Sequence, residues 1–164
     1  MIAYEPAEWS DLFVAVAGAS AALAGLLFVA VSINLERILQ FEGLPERALE
    51  TLALLLGVLL VAIVGLIPEQ SHVALGAEIL GLGLVLIAFV SRLPTAYSGP
   101  DRVPPSWKIT RWALRLIATV PFLLGGASLL AEAGGGLYWV VGGIVFATLA
   151  AVANAWVLLV EILR

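Results

Sequence analysis

Cysteine is absent from this 164-residue chain, and histidine occurs only once, at His72. The lack of cysteine excludes disulfides, thiolate nucleophiles and cysteine-ligated zinc or iron–sulfur clusters. A single histidine excludes a bis-histidine haem site or a multi-histidine metal site within one chain. The sequence also contains no GxSxG, HExxH or P-loop motif. We therefore expect a protein that is not an enzyme and that holds no metal and no cofactor.

Charge is also scarce, at 12% of residues, whereas 62% are hydrophobic and the mean hydropathy is +1.10. A soluble globule of this length cannot bury so much apolar surface, so most of the chain must be solvated by lipid. Five apolar segments are each about long enough to cross a bilayer. The sequence predicts an all-α, polytopic membrane helix bundle, a single transmembrane domain over 1–164 with spans at about 9–35, 48–67, 73–93, 109–131 and 137–163.

The few basic residues all fall on one side of this five-span arrangement. By the positive-inside rule, the N-terminus lies outside and the C-terminus lies in the cytoplasm. The basic residues are too few and too dispersed for a nucleic-acid interface, so no nucleic-acid partner is expected. The residues on the inner side are Arg37, Arg47, Arg92, Arg102, Lys108, Arg111, Arg115 and Arg164.

Four of these residues, which flank or precede the fourth span, form a predicted inner basic rim. Such a rim can attract anionic lipid at roughly 1 kcal/mol per charge. Orientation of the chain in the membrane explains the same residues equally well. The rim consists of Arg102, Lys108, Arg111 and Arg115.

Small residues mark two spans as candidate packing surfaces, because they let another helix backbone approach closely. In span 1, which we expect to be packed against protein on more than one face, they are Ala17, Gly18, Ala21, Ala22 and Gly25. In span 5, Gly143, Ala147 and Ala151 recur every four residues. Asn154 near the middle of this span either forms a hydrogen bond to another helix, which we favour, or lines a pore.

Pro121 is the only proline inside a predicted span. It removes the backbone hydrogen bond to Ile117 and predicts a kink in span 4. Such a kink serves either as a gate or simply as a packing shape.

Acidic residues on the outer side suggest a candidate ion or proton site. Glu78 lies about one and a half turns into span 3, and Glu69, His72 and Glu132 lie in the outer turns. A carboxylate at that depth without a partner would tend to take up a proton. The alternative is that Glu78 is only solvated or bonded across helices, with His72 also solvated.

Three segments of the first 90 residues carry a family resemblance: AALAGLLFVAVSINLERIL (21–39), GLPERALETL (43–52) and GLIPEQ (65–70). They resemble a family of small, uncharacterised, multi-span membrane proteins of actinobacteria and related bacteria. Some members of that family are labelled "modulator of FtsH protease". The resemblance implies a multi-pass protein of the bacterial inner membrane that contacts a membrane-bound protease.

Two classes of function remain open. The first is a non-catalytic protein that acts by helix–helix interaction with copies of itself or with another membrane protein. The second is a small homo-oligomeric conduit for cations or protons with an acidic outer mouth. Five short spans form a packed bundle more readily than a pore, which favours the first class.

Overall fold

The computed structural model describes residues 2–94 and 105–162, with side chains described over 2–94 and 109–161. Two short 3₁₀ helices, Ile2–Tyr4 and Pro6–Trp9, precede the first α-helix. The described part of the chain contains no β-strand. Its α-helices are α1 Ser10–Ile33, α2 Leu35–Gln40, α3 Leu44–Gly65, α4 His72–Arg92, α5 Pro105–Ala131 and α6 Leu137–Ile162.

Five of these helices, all except α2, are long and apolar enough to cross a membrane. The predicted fold class, an all-α bundle with five membrane-spanning helices, is confirmed. The connection between the first two spans contains the short helix α2. Asn34 interrupts the helix between α1 and α2, and its side-chain amide donates to the carbonyl of Ala30 at 2.8 Å.

α3 is the central helix of the molecule, because it packs against α1, α4 and α6. α5 packs between α4 and α6, so α3 to α6 form a four-helix bundle. Its core is apolar and tightly filled, with Ala62, Ile79 and Phe122 completely buried. α1 lies outside this bundle and packs mainly against α3.

The alternating helix directions give the bundle two chemically different ends. The end where α1, α4 and α6 begin carries acids and, among the described residues, no lysine or arginine; we call it the acidic end. The opposite end, where α3 and α5 begin, is the basic end. The described arginines of the basic end are Arg37, Arg47, Arg92, Arg111 and Arg115.

Polar groups fix the turns of the acidic end. The hydroxyl of Ser71 caps α4 by accepting from the N–H of Ala74 at 3.2 Å. After α5, Glu132 adopts a positive φ of 50°, and the N–H of Ala133 reaches back to the carbonyl of Ser128 at 3.2 Å. This is the hydrogen-bond pattern of a Schellman motif, with glutamate where glycine is usual.

The N-terminal segment folds over the turn between α5 and α6. The hydroxyl of Tyr4 accepts a hydrogen bond from the N–H of Gly135 at 3.2 Å. The rings of Trp9 and Tyr138 meet edge to face, with centroids 4.9 Å apart. The start of the chain is thereby attached to the last helical hairpin, at the acidic end.

Candidate functional site

The predicted outer site is divided into two separate polar contacts. The carboxylate of Glu78 accepts a hydrogen bond from the amide of Gln70 at 2.6 Å, so it has a partner and is not an isolated acid. His72 Nε2 lies 2.8 Å from Glu132 Oε1 and joins the two turns of the acidic end, so His72 is not merely solvated. Within the described residues, no group of three or more histidine or acidic side chains is placed to hold a metal ion.

Glu69 belongs to neither contact. It follows Pro68 and has a positive φ of 56°, which is uncommon for a residue other than glycine. With Glu5 and Gln70 it lines an open cavity of about 350 Å³ between the N-terminal segment and the α3–α4 turn. The four residues predicted as one ion site therefore lie at one end of the bundle without forming one cluster.

The basic end contains a buried polar arrangement that was not predicted. Arg115 on α5 forms a bidentate ion pair with Glu50 on α3: Nη2 donates to Oε2 at 2.7 Å, and Nε donates to Oε1 at 3.1 Å. Both residues are buried, with 2% and 4% of their surfaces exposed. Nη1 of Arg115 also donates to the carbonyl of Leu93, just after α4, at 3.1 Å. One guanidinium thus joins α3, α4 and α5.

This junction changes the interpretation of the basic rim. Arg115 is not on an exposed rim, because its charge is neutralised by a buried carboxylate. Arg111 also approaches Glu50, with Nη2 at 3.5 Å from Oε2, and only 13% of its side chain is exposed. Arg102 and the side chain of Lys108 lie outside the described residues. The prediction of an inner basic rim that attracts anionic lipid is therefore wrong for Arg115, whose charge is paired inside the chain, and stays a prediction for Arg111.

The signal for the junction was present in the sequence. Glu50, Arg111 and Arg115 all fall inside the predicted spans 48–67 and 109–131, where a charge needs a partner. From the sequence, Arg111 and Arg115 were instead assigned to the inner basic rim, and Glu50 was given no role. The pairing itself joins residues 65 positions apart, which hydropathy alone does not reveal.

The small residues of span 1 lie mostly on an uncovered face of α1. Gly18, Ala21, Ala22 and Gly25 are exposed, and Ala17 is half-buried. A Cβ built at Gly18 or Gly25 would meet no atom of the described residues within 4 Å. Within this chain, α1 is therefore packed on one face only, and its predicted packing on a second face would require another protein.

The small residues of span 5 are used inside the chain. A Cβ at Gly143 would lie 2.8 Å from the ring of Phe122 on α5, and Ala147 and Ala151 are buried. Asn154 is half-buried beside the Glu50–Arg115 junction, where these three residues help to line a cavity of about 10 Å³. Among the described residues no hydrogen bond joins the Asn154 side chain to another helix of this chain, and the predicted interhelical bond stays a prediction.

Pro121 lies inside α5, which continues as one helix from Pro105 to Ala131. Thr119 stabilises the turn before it by donating to the carbonyl of Arg115 at 2.7 Å. The helix therefore continues through Pro121, and the kink predicted there stays a prediction.

Fold and charge distribution together define a multi-pass integral membrane protein with a peripheral first helix and an ion-paired basic end. No protein-family model matches this chain, and no curated protein or solved structure is significantly similar to it. Its function must therefore be inferred from the surfaces just described.

Proposed function

We propose that this protein is a non-catalytic integral membrane protein that acts by packing α1 against a transmembrane helix of a partner. The uncovered small-residue face of α1, formed by Gly18, Ala21, Ala22 and Gly25, carries this proposal. We call it the α1 face. Gly18 and Ala22 are four residues apart, as are Ala21 and Gly25, and this is the spacing at which small residues allow close helix contact in membranes.

The position of α1 supports the same conclusion. The four-helix bundle of α3 to α6 buries its own small residues at Gly143, Ala147 and Ala151. α1 contributes little to that core, since its long apolar window is 17% buried, compared with 50% for α3. A helix that packs on the bundle along one face, through Phe13 and Ala24, and presents small residues on another face is suited to binding a second helix.

The resemblance noted above suggests the class of partner. Family members labelled as modulators of a membrane-bound protease make such a protease, in the bacterial inner membrane, a reasonable first partner to test. A second copy of this chain is the alternative partner. Both would use the same face, because helix–helix recognition in lipid depends on shape and not on a particular side-chain chemistry.

The test is the mass of the complex extracted from native membranes with its surrounding lipid. Gly25→Leu fills the α1 face without touching the rest of the chain, since the space at Gly25 is open. We expect it to reduce the complex to the mass of the monomer. Ala19→Leu is the matched control, because Ala19 is also exposed on α1 but lies beside the α1 face. It should behave as the wild-type protein does.

A wild-type protein that is extracted only as a monomer, or a complex that Gly25→Leu leaves unchanged, would contradict the proposal. Leucine at Ala151 is not a suitable test, because Ala151 is buried within the chain and the substitution would disturb the fold itself. The structure thus distinguishes Gly25, where the space is open, from Ala151, which lies in the core.

The alternative function, a cation or proton conduit, rests on Glu78, which is half-buried at the acidic end. Two observations make it the weaker hypothesis: Glu78 is already bonded to Gln70, and the bundle core is apolar. Reconstituted protein distinguishes the two functions. Glu78→Gln would reduce cation or proton flux through a conduit, but it would not affect packing through the α1 face.

A further inference from the structure

We infer that Arg47, in the first turns of α3, is the centre of a phosphate-binding site that holds the headgroup phosphate of a membrane lipid at the basic end. Arg47 is 7% exposed, so its guanidinium is largely removed from water. Its Nε is fully buried and has no hydrogen-bond partner in the described part of the chain. This site does not depend on the α1 face or on its proposed partner.

The neighbours of Arg47 show that its burial is real. Three nearby residues of α3 are buried: Leu44, three positions before Arg47, and Ala48 and Thr51, one and four positions after it. Leu44 and Ala48 pack in a small apolar cluster with Ile38 of α2 and Leu158 of α6. Arg47 is therefore placed among packed helices and not on a face where water would solvate it freely.

No acid of the described residues neutralises Arg47. Glu50, one turn further along α3, is occupied by Arg115. Glu46 is adjacent in sequence but projects about 100° away around the helix, and it forms no ion pair with Arg47. A guanidinium does not lose its proton in proteins, so Arg47 cannot become neutral as a buried lysine can. A buried charge of this kind requires an anion, and the acids that the structure describes do not provide one.

The start of α3 favours an anion at the same place. Gly43 precedes the helix and has no side chain to cap it. The N-terminus of a helix is also the positive end of its dipole, which attracts phosphate groups. Helical side chains lean toward the N-terminus, so the guanidinium of Arg47, the fourth residue of α3, is directed over this first turn.

The position of Arg47 along its membrane-spanning helix favours a lipid as the source of the phosphate. The first turn of α3 is at the basic end of a membrane-spanning helix, at the level where lipid headgroups lie. Arginine binds phosphate oxygens in a bidentate manner, which a headgroup phosphate permits. Free inorganic phosphate presents the same oxygens, and the experiment must distinguish the two sources.

The experiment measures the phospholipid that remains bound to purified protein, by native mass spectrometry in mild detergent. We expect the wild-type protein to retain phospholipid and Arg47→Gln to lose it. Arg37→Gln is the matched control, because Arg37 is exposed at the same end, and it should retain the lipid. Glu46→Gln should also retain it, since that change removes a nearby negative charge.

A second measurement uses lipid-depleted wild-type protein and therefore does not depend on a variant folding. Vesicle lipid should restore its thermal stability, and inorganic phosphate alone should not. Inorganic phosphate would be the ligand if it also stabilises the wild-type protein. It should then fail to stabilise Arg47→Lys, because lysine lacks the bidentate geometry. Wild-type protein without bound lipid and without a response to either additive would overturn the inference.

Discussion

At the scale of single residues, Arg115 stands out because one buried side chain serves three helices. It pairs with Glu50 on α3, donates to the carbonyl of Leu93 after α4, and lies 5.7 Å from the ring centre of Trp112 on its own helix. A buried ion pair is not in itself strongly stabilising, since desolvation opposes the attraction. Removing Arg115 is a different matter, because it leaves the buried carboxylate of Glu50 with only the longer contact to Arg111, at 3.5 Å.

We therefore predict that Arg115→Leu destabilises the protein by about 3–5 kcal/mol, the usual result of leaving a buried partner unpaired. Thermal unfolding in detergent measures this effect. Arg92→Leu is the control, because Arg92 is exposed at the same end of the bundle, and it should change stability little.

Adding Glu50→Gln to Arg115→Leu should recover part of the lost stability, since both charges are then removed. If the two residues act independently, Glu50→Gln will destabilise the Arg115→Leu variant by as much as it destabilises the wild-type protein. That outcome would contradict the junction described here.

At the scale of helices, α4 and α5 approach each other most closely where two glycines meet. A Cβ built at Gly126 would lie 2.7 Å from the backbone nitrogen of Leu80 and 2.8 Å from the carbonyl oxygen of Gly76. These neighbours are backbone atoms, which cannot rotate away as a side chain can. The closeness of these two helices therefore depends on the absence of a side chain at Gly126.

We predict that Gly126→Ala lowers the thermal stability of the protein by about 1–3 kcal/mol, the usual effect of forcing an extra group into a packed interface. Gly81→Ala is the control on α4, because the space at Gly81 is open within the described residues. It should be neutral or slightly stabilising, since alanine favours helix more than glycine does. Equal effects of the two substitutions would argue against backbone contact as the cause.

At the scale of the whole molecule, the two ends of the bundle make orientation directly measurable. The chain has no cysteine, so a single introduced cysteine can be labelled without background. We predict that Glu8→Cys, at the acidic end, reacts with a membrane-impermeant thiol reagent in intact cells. Arg92→Cys, at the basic end, should react only after the membrane is permeabilised. The reverse pattern would contradict the orientation assigned by the positive-inside rule.

The sequence predicts the features of this architecture that depend on neighbouring residues better than those that depend on residues far apart in the chain. Long apolar runs determine the number of helices, because lipid requires each run to satisfy its own backbone hydrogen bonds. The pairing of Glu50 with Arg115 and that of His72 with Glu132 depend on how helices pack, which periodicity does not specify. Small residues show the same limit. Gly143 packs against another helix of the chain and Gly25 does not, although the sequence predicts a packing surface at both.

The junction at the basic end also has a consequence for the order of assembly. Glu50 is synthesised 65 residues ahead of Arg115, so α3 is made while its carboxylate still lacks the partner it has in the finished protein. Closure of the junction has to wait until α5 has entered the membrane beside α3 and α4. Biogenesis of this protein therefore includes an interval in which Glu50 has been made and its ion-pair partner has not, and synthesis of the fourth span ends that interval.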